Sequence, residues 1–93
     1  MEISGLQNWV EGNFDGFITA HSRELALAFL LEQSGQLAEA VIQGDQSRIS
    51  QELADVLLVL LAIAHKEEID LTEAVQNRLL SRSTADILEN VHL

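Results

Sequence analysis

The chain has 93 residues, of which 47% are hydrophobic, and a formal net charge of −10 with no cysteine and no proline. So few lysines and arginines argue against binding to a nucleic-acid backbone, where basic side chains must replace counterions. The missing cysteines exclude a disulfide framework and a thiolate metal site, and the hydrophobic share is too high for a disordered chain.

A chain of this length is expected to form one domain, residues 1–93, which buries only about 60–65% of the surface that its unfolded form exposes. We therefore expect the surplus apolar surface to lie in a subunit interface. The amino-terminal segment lacks the basic and apolar regions of a signal peptide, and the most apolar run, residues 56–64, is less than half of the roughly 20 residues that span a bilayer. We expect a cytoplasmic protein with no membrane partner.

Apolar positions recur at helical spacing along the chain, and no stretch alternates with period two over the length of a strand. The pattern predicts a first helix at about residues 3–11 and a loop in "EGNFDGF", which contains glycine and asparagine. A second helix is predicted from residue 21 or 22 to residue 43. Gly44 is placed to end it in the left-handed conformation that glycine adopts easily.

A third helix is predicted at residues 46–67, with Asp45 or Ser47 as its cap. Asp70 and Glu73 have the spacing of a capping box, which predicts that the fourth helix begins at residue 71 and runs to residue 81. Residues 83–86 indicate a weaker restart towards the terminus. The chain is therefore predicted to be all-α, with four to five helices.

The second and third helices contain stretches that are apolar all round, residues 25–31 and 56–64, so each needs neighbours on several sides. The tight turn "QGDQ" joins them into an antiparallel pair. Pairing with a second copy would make a four-helix core. The predicted architecture is an antiparallel helical bundle that is completed by dimerisation.

Polar residues interrupt the inward faces of these two helices. Glu32, Gln33 and Gln36 share one side of the second helix, and Glu52 and Asp55 share a face of the third that continues with apolar residues. Burying carboxylates without partners costs several kcal/mol each, so this placement favours a compensating cation. Oxygen ligands favour Mg²⁺ or Mn²⁺, although carboxylates at this spacing also mark ordinary solvated faces.

Three segments, "LEQSGQLAEA", "QELADVLLVLLAIA" and "EIDLTEAVQNRLLSR", resemble the MazG-like, all-α nucleoside triphosphate pyrophosphohydrolases. The family pattern is Glu-Glu-x-x-Glu, then Glu-x-x-Asp, then an Ile-Asp-Leu-x-x-Ala-Val helix start, and the resemblance spans residues 25–82. It implies a helical homodimer, sometimes a dimer of dimers. It also implies that acidic residues bind Mg²⁺ and that a nucleoside triphosphate is hydrolysed to the monophosphate and pyrophosphate.

Carried over position by position, Glu32, Glu52 and Asp55 stand where the family has acids. Gln33 and Gln36 stand at two further acidic positions, which usually ligate the metal. Glutamine keeps one carbonyl oxygen but supplies no negative charge. The resemblance therefore implies a site with three carboxylates, with Glu32 as the candidate catalytic base and with Mg²⁺ held weakly unless a nucleotide brings it.

Two basic residues near the end of the fourth helix complete the candidate site. Arg78 corresponds to a lysine usual in the family, and Arg82 to a nearby asparagine. One turn apart, their guanidinium groups suit a phosphate clamp, and a basic pair that complements the helix dipole is an equal alternative. The expected function is slow, Mg²⁺-dependent pyrophosphohydrolysis. The alternative is a catalytically inactive homologue that acts as a nucleotide-binding or protein-interaction module.

Overall fold

The computed structural model describes residues 2–19 and 23–81, and of residues 14–19 the backbone only. These ranges form four helices and contain no strand: α1 Ile3–Thr19, α2 Arg23–Gln43, α3 Gln46–Lys66 and α4 Leu71–Ser81. The all-α prediction is confirmed, and the bounds of α2, α3 and α4 agree with the predicted ones to within a residue or two. Arg82 and the restart predicted at residues 83–86 lie outside the described residues.

The loop predicted in "EGNFDGF" is wrong, because α1 continues as a helix to Thr19. A single glycine costs a helix only about 1 kcal/mol, and Gly12 lies where an added Cβ would meet nothing within 4 Å. The Asn13 side chain stays inside the helical pattern by donating its Nδ2 to the carbonyl of Trp9 at 2.8 Å. The packing of α1 against α3 therefore outweighs these weak local preferences.

The turn between α2 and α3 follows the prediction. Gly44 has φ +69°, and its N–H donates to the carbonyls of Ala40 at 3.0 Å and Val41 at 3.1 Å. Asp45 caps α3 by accepting the N–H of Arg48 on its Oδ1 at 3.2 Å. Such a short connection makes α2 and α3 antiparallel neighbours, and their contact is the most extensive one between helices.

An ion pair closes the other end of the antiparallel pair. The Arg23 guanidinium donates its Nε to Glu67 Oε1 at 2.6 Å and its Nη2 to Oε2 at 2.8 Å. The hydrogen bond and the charge of Glu67 raise the pKa of Arg23. Because the pair is exposed, its contribution to stability is small. The pair shows which residues of α2 and α3 lie at the same level.

The hydrophobic core lies where α1 crosses the second half of α3. Val10 and Leu61 are its buried centre, with partly buried apolar side chains from α1, α3 and α4 around them: Ile3, Leu6, Ala62 and Leu71. Only two further side chains are buried in the described part of the chain, Ala40 and Ala64. The single chain therefore has a small core.

Several hydrogen bonds attach the start of α4 to α1, and two of them are made by one amide. Gln7 donates its Nε2 to the carbonyl of Ile69 at 2.9 Å, and its Oε1 accepts the N–H of Leu71 at 3.0 Å. Asp70 caps the helix by accepting the N–H of Glu73 at 3.1 Å, which is the Asp70 half of the predicted capping box. Since α4 has no fully buried side chain, these polar contacts act together with the packing of Leu71 against the core to set its position.

The change Gln7→Leu is expected to lower the free energy of unfolding by about 1–3 kcal/mol, because it leaves a partly buried N–H and a carbonyl without their partner. Urea denaturation followed by circular dichroism measures the loss. Gln76→Leu, the same change at an exposed position of α4, is the control and is expected to shift stability by less than about 0.5 kcal/mol. Equal losses in the two variants would contradict the attachment by Gln7.

Many large apolar side chains of α2 and α3 remain exposed in the single chain. At about 100° per residue, one set of them falls on the same side of the antiparallel pair. We call this set the apolar face: Leu27, Val41, Leu53, Leu57 and Leu60. Glu32 and Asp55 fall on the opposite side of the pair by the same geometry.

By length and composition alone, α2 is also apolar enough to cross a membrane, with a mean hydropathy of 1.2 over 18 residues. The core helix of a soluble bundle passes the same test, so one such helix is weak evidence for a span. The contact of α2 with α3 and the apolar face give its apolar residues another explanation.

Candidate metal site

The side of α2 that faces α3 can be identified from burial. Partly buried positions recur every three or four residues along the helix and end at the buried Ala40. They include Gln33 and Gln36 among apolar neighbours: Ala26, Phe29, Leu30 and Leu37. The two amides therefore lie in the α2–α3 interface, although the acids were expected inside with Gln33 or Gln36 at the rim, and Glu32 is exposed.

On α3 the matching partly buried row contains Glu52 between Ile49 and Val56. The register follows from the pair Arg23–Glu67. Counted from this pair, Gln36 lies opposite Ala54, which is inside the segment 52–55, and Gln33 lies opposite Leu57, two residues beyond it. In an antiparallel pair, equal counts from a fixed contact reach the same level, so both amides lie within about one turn of this acidic segment.

The three carboxylates differ in exposure. Glu52 is half-buried, whereas Glu32 and Asp55 are exposed. The expectation that both acids of α3 point inward therefore holds for Glu52 only. Asp55 is three residues from Glu52, which rotates it by about 60° from the facing row. Glu32 and Asp55 lie at the solvent edge on the same side of the pair.

Two buried oxygens in this region have no hydrogen-bond partner in the described part of the chain: Gln33 Oε1 and Glu52 Oε2. A buried acceptor without a partner costs about 1–3 kcal/mol. Two acceptors cannot satisfy one another, so they need a donor or a cation. Arg48 is engaged near the turn, where it donates to Gln43 Oε1 at 2.9 Å, and Arg23 binds Glu67. Carbonyl and carboxylate oxygens are of the ligand type that Mg²⁺ and Mn²⁺ prefer.

No three histidine, aspartate or glutamate side chains among the described residues are grouped closely enough to hold a metal ion. Thus Glu32, Glu52 and Asp55 do not form a ready-made cluster in the single chain. Their joint role as metal ligands stays a prediction.

The predicted phosphate clamp lies elsewhere in the chain. Arg78 is exposed on α4, and α4 packs mainly against α1. The structure therefore does not pack the Arg78 helix along the α2–α3 pair. Arg82 is outside the described residues, so the clamp also stays a prediction.

A family model described as the MazG nucleotide pyrophosphohydrolase domain matches residues 21–81. The chain belongs to the MazG family. The match includes the α2 amides, the α3 acids and α4, and the four-helix structure agrees with an all-α MazG-like fold. A search of curated proteins and a search of solved structures give no match.

Membership of the MazG family implies a general activity and a general type of cofactor. Enzymes of the MazG family are nucleoside triphosphate pyrophosphohydrolases and generally use divalent metals. The two partnerless oxygens lie within the segment that the family model matches. In this MazG domain the best candidate for the cation is therefore the middle of the α2–α3 interface.

Sequence reasoning did not single out the Arg23 end of this MazG domain. There a hollow of about 190 Å³ opens between α2 and α3, with Ala26, Leu27 and Ile63 in its wall and Arg23, Lys66 and Glu67 at its rim. The sequence did contain a signal for this ion pair. Arg23 stands at the start of α2, and Glu67 stands at the end of its antiparallel neighbour α3. Two of the charged side chains at the rim, Arg23 and Glu67, pair with each other.

Proposed function

We propose that this MazG protein is a divalent-cation-dependent pyrophosphohydrolase that converts a nucleoside triphosphate to the monophosphate and pyrophosphate, and that it works slowly. The observation that carries the proposal is the pair of partnerless oxygens, Gln33 Oε1 and Glu52 Oε2, inside the interface matched by the family model. A cation would complete buried acceptors in such a place.

Glu52 and Gln33 are the inner candidates to hold the cation, and Gln36, Asp55 and Glu32 extend the set towards solvent. A Mg²⁺ ion held by these residues would supply positive charge that offsets the phosphates and would activate water as the nucleophile. Glu32 is proposed as the general base that takes the proton of the attacking water, because it is exposed at the edge and borders the amide row.

The proposal of slow activity follows from charge. Mg²⁺ is held by charge as well as by geometry, and two neutral amides replace two anionic ligands of the family pattern. A triphosphate also meets a chain of net charge −10. We therefore propose that the cation binds weakly without nucleotide, and that Arg78 and Arg82 supply further positive charge to the phosphates.

The active form is proposed to be a homodimer, or a dimer of dimers, in which a second copy covers the apolar face. The support is the small core of the single chain together with the exposed side chains of the apolar face. A single domain of this size is otherwise marginally stable. Such an interface is expected to resemble a divided core.

The activity is tested by measuring pyrophosphate release from a panel of common and modified nucleoside triphosphates with Mg²⁺ or Mn²⁺. Glu52→Gln keeps the side-chain length and removes the half-buried carboxylate of the proposed site, and we expect the rate to fall by about 100-fold or more, equivalent to about 3 kcal/mol. Glu24→Gln, an exposed acid in the first turn of α2, is the control and should retain the parent rate.

Equal rates in the parent and in Glu52→Gln would remove the enzymatic proposal. The second candidate, an inactive homologue that binds nucleotides or another protein, is favoured by one observation, which is glutamine at two acidic positions of the family pattern. Equilibrium dialysis of the inactive protein against the same nucleotide panel would then test whether it binds nucleotides. Retention of no nucleotide would favour binding to another protein.

A further inference from the structure

The second half of α4 projects from the bundle. Among the described residues, the hydrogen bonds that join α4 and the turn before it to α1 involve Ile69, Leu71 and Thr72. All residues of the range 75–81, which we call the arm, are exposed. The described helices therefore leave most of the arm in contact with water.

The arm carries an apolar stripe that is in line with the core. Leu71, Val75 and Leu79 follow one another at four-residue intervals, so they share one side of α4. Leu71 packs against the buried core, whereas Val75 is 39% and Leu79 61% exposed. The stripe therefore continues from the core into solvent, where the described residues leave much of it uncovered.

The sequence that follows the arm has an apolar side of its own. Ser83 and Asp86 have the spacing of a helix start before an apolar run. The carboxylate of Glu89 falls on one side of such a helix. At about 100° per residue, three apolar residues fall on the opposite side: Ile87, Leu88 and Val91. The sequence therefore predicts a short amphipathic helix at residues 84–93, and a helix of this length is marginal in water unless its apolar side is covered.

We propose that the arm is the docking surface for residues 83–93 of the same chain, which fold back antiparallel to α4 and lay their apolar side on the stripe. Two residues, 82 and 83, are enough to connect two antiparallel helices. Counted from this turn, Val75 lies level with residue 90 and Leu79 with residue 86. Val91 and Ile87 are each one residue from these levels, so the two apolar rows have the same spacing and match in register.

The length of this segment and its attachment to the arm favour it over other occupants. At 1.5 Å per residue, a helix over residues 84–93 spans about 15 Å and the arm about 10 Å, so the segment reaches past Val75. A tethered segment meets the arm at an effective concentration of roughly millimolar, whereas a second copy or another protein has to bind from dilute solution. Docking holds the far end of α4, which the contacts of residues 69–72 do not reach.

Disulfide trapping in the full chain tests this contact, since the chain has no cysteine of its own. A disulfide requires two Cβ atoms within about 4.5 Å of each other. The double variant Val75→Cys with Val91→Cys joins the two apolar rows, and mild oxidation at low micromolar concentration should close a bond within most chains. Val75→Cys with Glu89→Cys is the control and should close in few chains, because residue 89 has nearly the same level but the opposite side. Non-reducing electrophoresis separates bonds within a chain from bonds between chains.

Hydrogen exchange gives a second readout that needs no new cysteine. Ile87→Gln weakens the apolar contact, so the amides of residues 76–81 should exchange faster by about tenfold or more, because the arm then opens locally more often. Exchange in α2 and α3 should stay the same. Glu89→Gln places the same new side chain on the outer side of the predicted helix and should match the parent.

Equal trapping in the two double variants, disulfides only between chains, or unchanged exchange in Ile87→Gln would each overturn the proposal. Disulfides only between chains would assign the arm to the corresponding segment of a second copy. The proposed function does not depend on any of these results, since pyrophosphate release tests it separately.

Discussion

Replacing Leu61 by alanine is expected to lower the free energy of unfolding by about 3–4 kcal/mol, the range typical of a buried leucine that leaves a cavity. Leu61 is 0% exposed and forms the centre of the core together with Val10. In a chain of 93 residues, each kcal/mol shifts the melting temperature by about 4–8 °C. The variant should therefore melt at least ~12 °C lower in a thermal scan followed by circular dichroism.

Leu80→Ala is the matched control, because Leu80 is 86% exposed on α4. The same deletion of side-chain atoms there is expected to cost less than about 0.5 kcal/mol. Both variants must be compared at one protein concentration, since association makes the melting temperature depend on concentration. A similar loss in the two variants would show that the crossing of α1 and α3 is not the centre of stability.

The small size of this core connects stability to assembly. The described part of the chain buries few side chains, while the apolar face on α2 and α3 stays exposed. Burial of apolar surface contributes roughly 25 cal/mol for each Å² removed from water. In the proposed dimer, covering the apolar face would add stability that the single chain lacks.

The helix bounds that could be predicted were those marked by residues with a clear conformational role. Gly44 has the positive φ that ends α2, and Asp45 and Asp70 cap the two helices that follow. The end of α1 could not be predicted, because Gly12 and Asn13 are weak signals and the contact with α3 decides the outcome. The attachment by Gln7 could not be predicted either, because its two hydrogen bonds join residues that are 62 and 64 positions apart in the sequence.

For the site, the three- and four-residue spacing was enough to place Gln33, Gln36 and Glu52 in one interface, because helix periodicity fixes which residues share a face. The exposure of Asp55 was not predictable from spacing alone. Apolar residues occupy a wide part of the circumference of α3, so the sequence does not show on which part of it α2 packs. The exposure of Asp55 depends on that position. The partnerless state of two oxygens depends on packing in three dimensions, which no local pattern contains.

The proposed dimer gives the second large expectation. Leu53→Lys places a charge on the apolar face, at a side chain that is 53% exposed in the single chain. In a twofold interface the change occurs twice, and a buried charge without a partner costs several kcal/mol. Because 1.4 kcal/mol is a factor of ten in affinity, we expect the dissociation constant of the dimer to rise by at least ~1000-fold.

Light scattering over a range of micromolar concentrations measures this change. The parent should remain a dimer, or a larger assembly built from dimers, and Leu53→Lys should give a monomer. Lysine favours helices and Leu53 is already largely exposed, so the monomer should keep its helical circular dichroism at low temperature. Leu80→Lys, which adds the same charge outside the apolar face, should leave the assembly unchanged. A monomeric parent would contradict the dimer itself, whereas an undisturbed dimer in Leu53→Lys would place the interface away from the apolar face.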